Sequence, residues 1–349
     1  MTLVAHSDLP TFANLRNDGH EVLSLERAAQ QDIRELHIGF LNMMPDAALQ
    51  ATERQFISLV GGCNRIAQFF VYPFSLPSLT RSVASADYID QYYSRFEDIQ
   101  EHGLDALIIT GANVANPKLE SEAFWQPLMD VASWAQSDVA STLCSCLATH
   151  ALLKKFHDID RTPLGSKRWG VYEHRVCANE HPLIRDINTR FDVPHSRFNN
   201  ISRAQLETAG LRVLAESEVG GVHLAVSPDQ IRTVYFQGHP EYDRVSLLKE
   251  YTREVRRYLA GELDSMPIYP DNYFTPAVQQ MIAAAAPEPE LLLRVLANDV
   301  EPHLDDTWGD TAKAVINNWL GIVYQLTNLN PKKQYMPNID RHDPLGLRR

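Results

Sequence analysis

At 349 residues the chain is long enough for one large α/β domain or two smaller ones around a sizeable core. Its 44% hydrophobic and 22% charged residues are those of an ordinary soluble globular protein, and a net charge of −12 repels phosphate backbones and argues against nucleic-acid binding. Four cysteines (Cys63, Cys144, Cys146 and Cys177) are too few for a disulfide framework, residues 1–10 have no basic start or apolar core, and no apolar run nears the roughly 20 residues of a membrane span, so a reducing, cytoplasmic setting without membrane contact is expected.

In chain order, "ELHIGFLNMM" (35–44), "RIAQFFVYPF" (65–74), "LDALIITGA" (104–112) and "VASTLCS" (139–145) read as buried strands, short, β-branched or aromatic and bounded by turn residues. Helical patterns separate them at 49–62 and 121–137. Strands alternating with helices predict a mostly parallel sheet covered on both faces. From 165 to 226 the pattern is less regular and richer in polar residues. A strand in "IRTVYFQGHPEYD" (231–243) and a helix at 243–261 follow, then a proline-rich loop (265–276) and an exposed connection at "AAAAPEPE" (283–290). A last amphipathic helix is predicted within 311–326, and the tail from 331 to 349 reads as loosely held.

The chemistry concentrates at "STLCSCLATHALL" (141–153), a strand running straight into a helix. A nucleophile on such a turn projects from the sheet, and small flanks let the backbone approach closely. Around Cys146 the flanks are Cys144 and Ala148; around Cys144 they are Thr142 and Cys146, which are bulkier. Cys146 also sits nearer the helix N-terminus, which favours a thiolate. Cys146 is therefore the preferred nucleophile, against the plainer reading that both thiols are small core residues. A thiolate needs a base, and "QGHPEYD" (237–243) offers His239 with Glu241 two residues on. In an extended backbone both side chains leave on the same side, so Glu241 could orient the imidazole. A metal site of Cys144, Cys146 and His150 is the competing arrangement, but its spacing matches no common zinc pattern, and no metal is expected. Cys63 and Cys177 have no supporting motif. P-loop and GxGxxG fingerprints are missing from the sequence.

With these segments in view, the chain resembles the homoserine O-acyltransferases of the succinyltransferase type, relatives of the class I glutamine amidotransferase (flavodoxin-like) fold. The likeness is carried by "QDIRELHIGFLNMMP" (31–45), "TERQFISLV" (52–60), "FEDIQEHGLDALIITGA" (96–112), "STLCSCLATHALL", "GVYEH" (170–174), "PHSRF" (194–198), "GHPEYD" (238–243) and "NWLGIVYQLT" (318–327), in the family's order. The resemblance implies a ping-pong transfer in methionine biosynthesis. Succinyl-CoA, as co-substrate rather than bound cofactor, acylates Cys146, and the hydroxyl of L-homoserine then takes the acyl group. It implies His239 as base and Glu241 as its orienting acid. It also implies Glu250 and Arg253, three apart on one helix face, at the amino-acid acceptor, with Lys167 and Ser196 at substrate-binding positions and Arg197 at a further family position. By analogy with the fold, the oxyanion hole is assigned to the N–H of Leu147 and one from the turn at Gly111–Ala112. In the family the residue at Ala115 is linked to donor choice: glutamate accompanies acetyl, and a small residue leaves room for succinyl.

Departures stand beside these matches. Asp46 and Ala47 replace a lysine that usually follows "MP", Leu147 replaces a tryptophan, and Asn113 replaces the proline of "TGAP". Acetyl-CoA as donor, L-serine as acceptor, and a Cys-His-Glu amidase or glutaminase remain the alternatives. The expected organisation is an N-terminal extension packing on the core (1–34), a catalytic α/β domain (35–265), a C-terminal helical extension (266–330) and the tail. Partners are expected to be small-molecule substrates, and the family tends to form homodimers.

Overall fold

The structure is a computed structural model and describes residues 3–63 and 67–347. The N-terminal segment pairs β1 (Val4–Ala5) with β2 (Leu23–Ser24) and adds the helices α1 (Pro10–Asn17) and α2 (Leu25–Ala29). An alternating series follows: β3 (Glu35–Leu41), α3 (Asp46–Gly61), β4 (Gln68–Phe74), α4 (Val83–Tyr92), α5 (Phe96–His102), β5 (Ala106–Ile109), α6 (Trp125–Asp138), β6 (Ser141–Ser145) and α7 (Leu147–His157). Next come β7 (Thr162–Val176), β8 (Arg190–Asn200), α8 (Arg203–Thr208), β9 (Arg212–Ser217), β10 (Gly221–Val226) and β11 (Thr233–Phe236). The helices α9 (Ser246–Leu259), α10 (Pro276–Ala285), α11 (Pro289–Asn298) and α12 (Gly309–Leu326) complete the described chain. The strand expected from 65 begins with two residues that lie outside those described.

The main sheet has nine strands in the order β4-β3-β5-β6-β11-β10-β9-β7-β8. From β4 to β11 the pairings are parallel; from β11 to β8 they are antiparallel. The α/β class is as expected, but the sheet is mixed, and the irregular stretch from 165 to 226 supplies four of its strands. The reason lies in burial. The parallel strands are covered on both faces and read as apolar runs, as in Ala106–Ile109, where every residue is buried. β7 is exposed over its first half and buried only around 169–172 and at His174, so its sequence carries no continuous apolar signal.

One face of the sheet buries Phe56 and Val60 of α3 and Trp319 and Val323 of α12; the other buries Leu128 and Ala132 of α6 and Ala148 and Leu152 of α7. The indole N–H of Trp319 donates to Ser141 Oγ at 2.8 Å, which fixes α12 against the start of β6. A third cluster joins Trp169 and Val171 of β7 to Tyr251 and Val255 of α9 and to α10 and α11. The stretch expected as an exposed connection at 283–290 is mostly helical. Thr275 caps α10 ahead of Pro276, and Pro289 starts α11, so only 286–288 link the two. The tail is held more firmly than expected: Gln334 and Tyr335 are buried, and the Tyr335 hydroxyl donates to Ala140 O at 2.9 Å.

Candidate active site

β6 ends at Ser145, and Cys146 turns the chain into α7 with φ 52 and ψ −110, a backbone setting that L-residues rarely adopt. Its N–H is held by Phe236 O at 2.9 Å, at the end of the neighbouring β11. The half-buried thiol thus stands on a strained turn at the carboxyl ends of two strands. Cys144, two residues back, is fully buried in the core, and burial pushes its thiol well above the ordinary range. The rival cluster of Cys144, Cys146 and His150 is not assembled. The His150 ring meets Gln237 Oε1 at 3.2 Å, and burial lowers it to about 3.

Two residues beyond β11, Gly238 brings the chain so close to β8 that a Cβ there would lie 2.6 Å from Val193 Cγ1 and 2.9 Å from the His195 ring. His239 follows, anchored by its N–H to Pro194 O at 2.8 Å. Its Nδ1–H donates to Glu241 Oε1 at 2.8 Å, and Ser145 Oγ donates to the same oxygen at 3.3 Å. Both ring and carboxylate are buried. Burial by itself would lower the imidazole pKa, but the Glu241 carboxylate and the Cys146 thiolate outweigh it and hold His239 well above its ordinary value. Nε2 is buried without a hydrogen-bond partner among the described residues, which leaves it free to serve the thiol. The arrangement can therefore hold a thiolate against an imidazolium.

Gly111, just past β5, closes the other side of the thiol. A Cβ on it would lie 3.6 Å from Cys146 Cβ and 3.8 Å from the Leu147 nitrogen. Leu147 is the first residue of α7, where intrahelical partners for the N–H are lacking. Ala112 is half-buried beside Gly111, and Ala115 is exposed two residues beyond Asn113. Glu122 Oε1 ties that loop by accepting the N–H groups of Ala115 (2.7 Å) and Asn116 (2.6 Å).

A second polar network stands on the antiparallel side. Glu250 of α9 accepts from Lys167 Nζ at 2.8 Å and Ser196 Oγ at 2.7 Å on one oxygen, and from the Tyr242 hydroxyl at 2.7 Å on the other. Although burial would raise it, the Lys167 ammonium and these hydrogen bonds keep the Glu250 carboxyl below its usual range. Lys167 also lies 4.2 Å from the Trp169 ring centre. The Tyr242 ring stacks on His239 at 4.3 Å and 18°, so it links the two networks. Arg253 is not part of either: its side chain is 61% exposed and pairs with Glu254 at 3.2 Å. Arg197 is buried and satisfied by His195, Asn200 and the carbonyls of Asn199 and Gly220.

Tyr242 and Ser145 were missed in the sequence, although both lie inside quoted segments; their signal was adjacency to His239, Glu241 and Cys146. Asp46, found where a lysine was expected, accepts the Ser82 N–H at 2.8 Å and meets Arg81 at 3.4 Å. Arg81 in turn donates to Met44 O and to Ser75 Oγ, which fixes the turn after β3. Among the described residues no group of three or more His, Cys, Asp or Glu could hold a metal, and no helix is long and apolar enough to cross a membrane.

A family model described as Homoserine O-succinyltransferase matches residues 2–329. The chain is 57% identical to the homoserine O-succinyltransferase of Methylococcus capsulatus, over 99% of this chain and 100% of that one. It is 56% identical to the homoserine O-succinyltransferase of Nitrosococcus oceani, over 100% and 99%. Among solved structures it is similar to a glutamine amido transferase from Methylobacillus flagellatus, at 14% identity and a TM-score of 0.45, covering 83% of this chain and 95% of that one.

Proposed function

The chain belongs to the homoserine O-succinyltransferase family, and from that premise we propose that it moves a succinyl group from succinyl-CoA to the hydroxyl of L-homoserine through a thioester on Cys146, a step of methionine biosynthesis in the cytoplasm. The observation that carries the mechanism is the buried His239, held by Glu241 at 2.8 Å with its other nitrogen left to a thiol on a strained turn.

In the first half, His239 takes the thiol proton and the Cys146 thiolate attacks the acyl carbon. The N–H of Leu147 and one from the Gly111–Ala112 turn receive the negative oxygen. The C–S bond of CoA breaks, the proton passes from His239 to the departing CoA sulfur, and the acyl group stays on Cys146. In the second half His239 takes the homoserine hydroxyl proton, the alkoxide attacks the thioester, and the Cys146 thiolate leaves. The first half exchanges one thioester for another and is nearly neutral; the second turns a thioester into an oxygen ester and runs downhill. Glu250, fixed by Lys167, Ser196 and Tyr242, faces the homoserine ammonium. Arg253, exposed and held among the described residues by its neighbour Glu254 on α9, swings to the homoserine carboxylate when substrate binds. Ala115 leaves room at the loop for a four-carbon acyl chain.

The test is CoA release from succinyl-CoA and acetyl-CoA in parallel, each with homoserine, serine or no acceptor. Release that needs both succinyl-CoA and homoserine is the expected result. Preference for acetyl-CoA or serine replaces the donor or acceptor but keeps the thioester. Sustained release without acceptor, beyond the one equivalent per enzyme that acylation alone gives, points to a hydrolase and overturns the transferase reading.

A further inference from the structure

An acyl chain that ends in a carboxylate calls for a cation at its far end, and most cations around Cys146 are already committed. Lys167 is paired with Glu250. Arg197 is saturated by carbonyls, Asn200 and His195. Arg168 donates to Asn200 Oδ1 and Gly220 O. Arg81 is bound to Met44 O, Ser75 and Asp46.

Arg161 differs. It lies in the short connection between α7 and β7, half-buried, with Nη2 reaching only Pro117 O at 3.2 Å and Asn116 O at 3.5 Å. Among the described residues no carboxylate lies within ion-pair distance of it. Of the two carboxylates that act on its charge, Glu122 and more weakly Glu120, Glu122 spends an oxygen on the loop N–H groups of Ala115 and Asn116. Burial lowers the Arg161 pKa, and the groups that act on its charge include the Cys146 thiolate, so the thiol is within its electrostatic reach. The guanidinium thus docks on the carbonyls of Asn116 and Pro117, next to Ala115 in the loop that starts at Gly111 beside Cys146. A partly desolvated arginine with weak carbonyl contacts and no anion is a half-built carboxylate site.

We propose that the Arg161 guanidinium receives the terminal carboxylate of the succinyl group carried on Cys146 and thereby selects a dicarboxylic acyl donor. The inference rests on the acyl-thioester reading of Cys146. It also assigns the two features of donor choice to one place: Ala115 gives the space, and Arg161 gives the charge. A phosphate of CoA would suit a guanidinium too, but such a contact is felt by every acyl-CoA alike, whereas a carboxylate contact is felt only by donors that have one.

The experiment is the acylation half-reaction alone, in the absence of acceptor, followed by intact mass of the full-length protein with succinyl-CoA and with acetyl-CoA. Wild type, Arg161→Gln and Arg161→Lys are compared, with a melting curve for each. Arg161→Gln is expected to lose about 10²-fold in acylation efficiency with succinyl-CoA and only a few-fold with acetyl-CoA. Arg161→Lys recovers part of the succinyl rate, because a point charge replaces a fork. If Arg161→Gln does not fold, Arg161→Lys decides, with an expected loss of about tenfold confined to succinyl-CoA. Equal losses with both donors, which would place Arg161 on CoA, or no loss with either, overturn the proposal. A wild type that forms no succinyl-thioester overturns the reading beneath it instead, whatever the variants do.

Discussion

In our proposal the two halves of the sheet do different chemical work. The parallel half, β4 to β11, puts Cys146, Gly111 and Leu147 at the carboxyl ends of its strands, where acylation takes place in our proposal. The antiparallel half, β10 to β8, supplies Lys167 and Ser196, which hold Glu250 for the acceptor. His239 follows β11, the strand that pairs parallel with β6 and antiparallel with β10. In our proposal the base that both half-reactions share therefore sits at the seam where strand direction changes. A two-substrate reaction needs one group common to both steps, and a mixed sheet offers one place that both halves reach.

The largest expected effect breaks the parallel half. Cys146→Ala and His239→Asn should each lower CoA release by more than about 10³-fold, with no thioester detectable by mass on Cys146→Ala. Cys144→Ala should keep activity within a few-fold, because its thiol is buried and protonated. A Cys144 variant as dead as the Cys146 one would move the nucleophile and with it the division of labour.

Next comes acid stability, which belongs to the antiparallel half. His174, His195 and His223 are buried there side by side, with the rings of His174 and His195 stacked at 5.1 Å. The groups facing His174 include Arg197 and Arg168 besides the other two rings. Burial lowers His174 to about 4 and holds His195 and His223 well below their ordinary value. A histidine with a depressed folded pKa contributes stability fully above its unfolded pKa of about 6.5 and loses it as the pH falls toward the folded pKa. Between pH 6.5 and 4 the His174 ring alone costs up to about 3 kcal/mol. Calorimetry should show melting temperature falling steeply in that window, and His174→Gln should flatten the fall. An unchanged slope would mean that the cluster opens or is hydrated before it titrates.

A smaller effect separates the half-reactions. Glu250→Gln should reduce homoserine-dependent turnover by about 10²-fold, mainly through a higher KM for homoserine, while single-turnover acylation by succinyl-CoA stays within a few-fold. Equal damage to both steps would mean that Tyr242, which donates to Glu250 and stacks on His239, transmits the loss to the base.

The same contrast explains what could be read in the sequence. Residues 104–112 and 139–145 are legible because strands covered on both faces must be apolar throughout, and the step from strand to helix marks Cys146 without any partner in view. His239 and Glu241 are legible as a pair because they are two apart. Lys167, Ser196 and Glu250 are not: their pairing spans 83 and 54 residues, and alone each is an ordinary polar side chain. Without the family resemblance Glu250 and Arg253 would have read as a surface ion pair. The structure pairs Arg253 with Glu254 instead, which no rule of helical spacing would select. Arg161 carries no signal at all, since an unpaired cation is defined by what fails to surround it.

The smallest effect concerns the turn itself. Cys146 has φ 52, where a Cβ is disfavoured and glycine is not. Cys146→Ala removes the sulfur but keeps the Cβ in that setting; Cys146→Gly removes both. If the turn stores strain to project the thiol, the glycine variant should be more stable than the alanine variant by about 1 kcal/mol, even though glycine ordinarily loses that much to alanine through backbone entropy. In a chain of this size that is roughly 2 °C in melting temperature. On the Gly111 side the space beside Cys146 Cβ is already open, since it would take a Cβ added to Gly111 to reach it at 3.6 Å. Both variants lack the nucleophile, so the difference reports the backbone alone. Alanine as the more stable variant would mean that the surrounding hydrogen bonds, from Phe236 O and along α7, dictate the turn without strain, and that the parallel half presents its thiol at no cost.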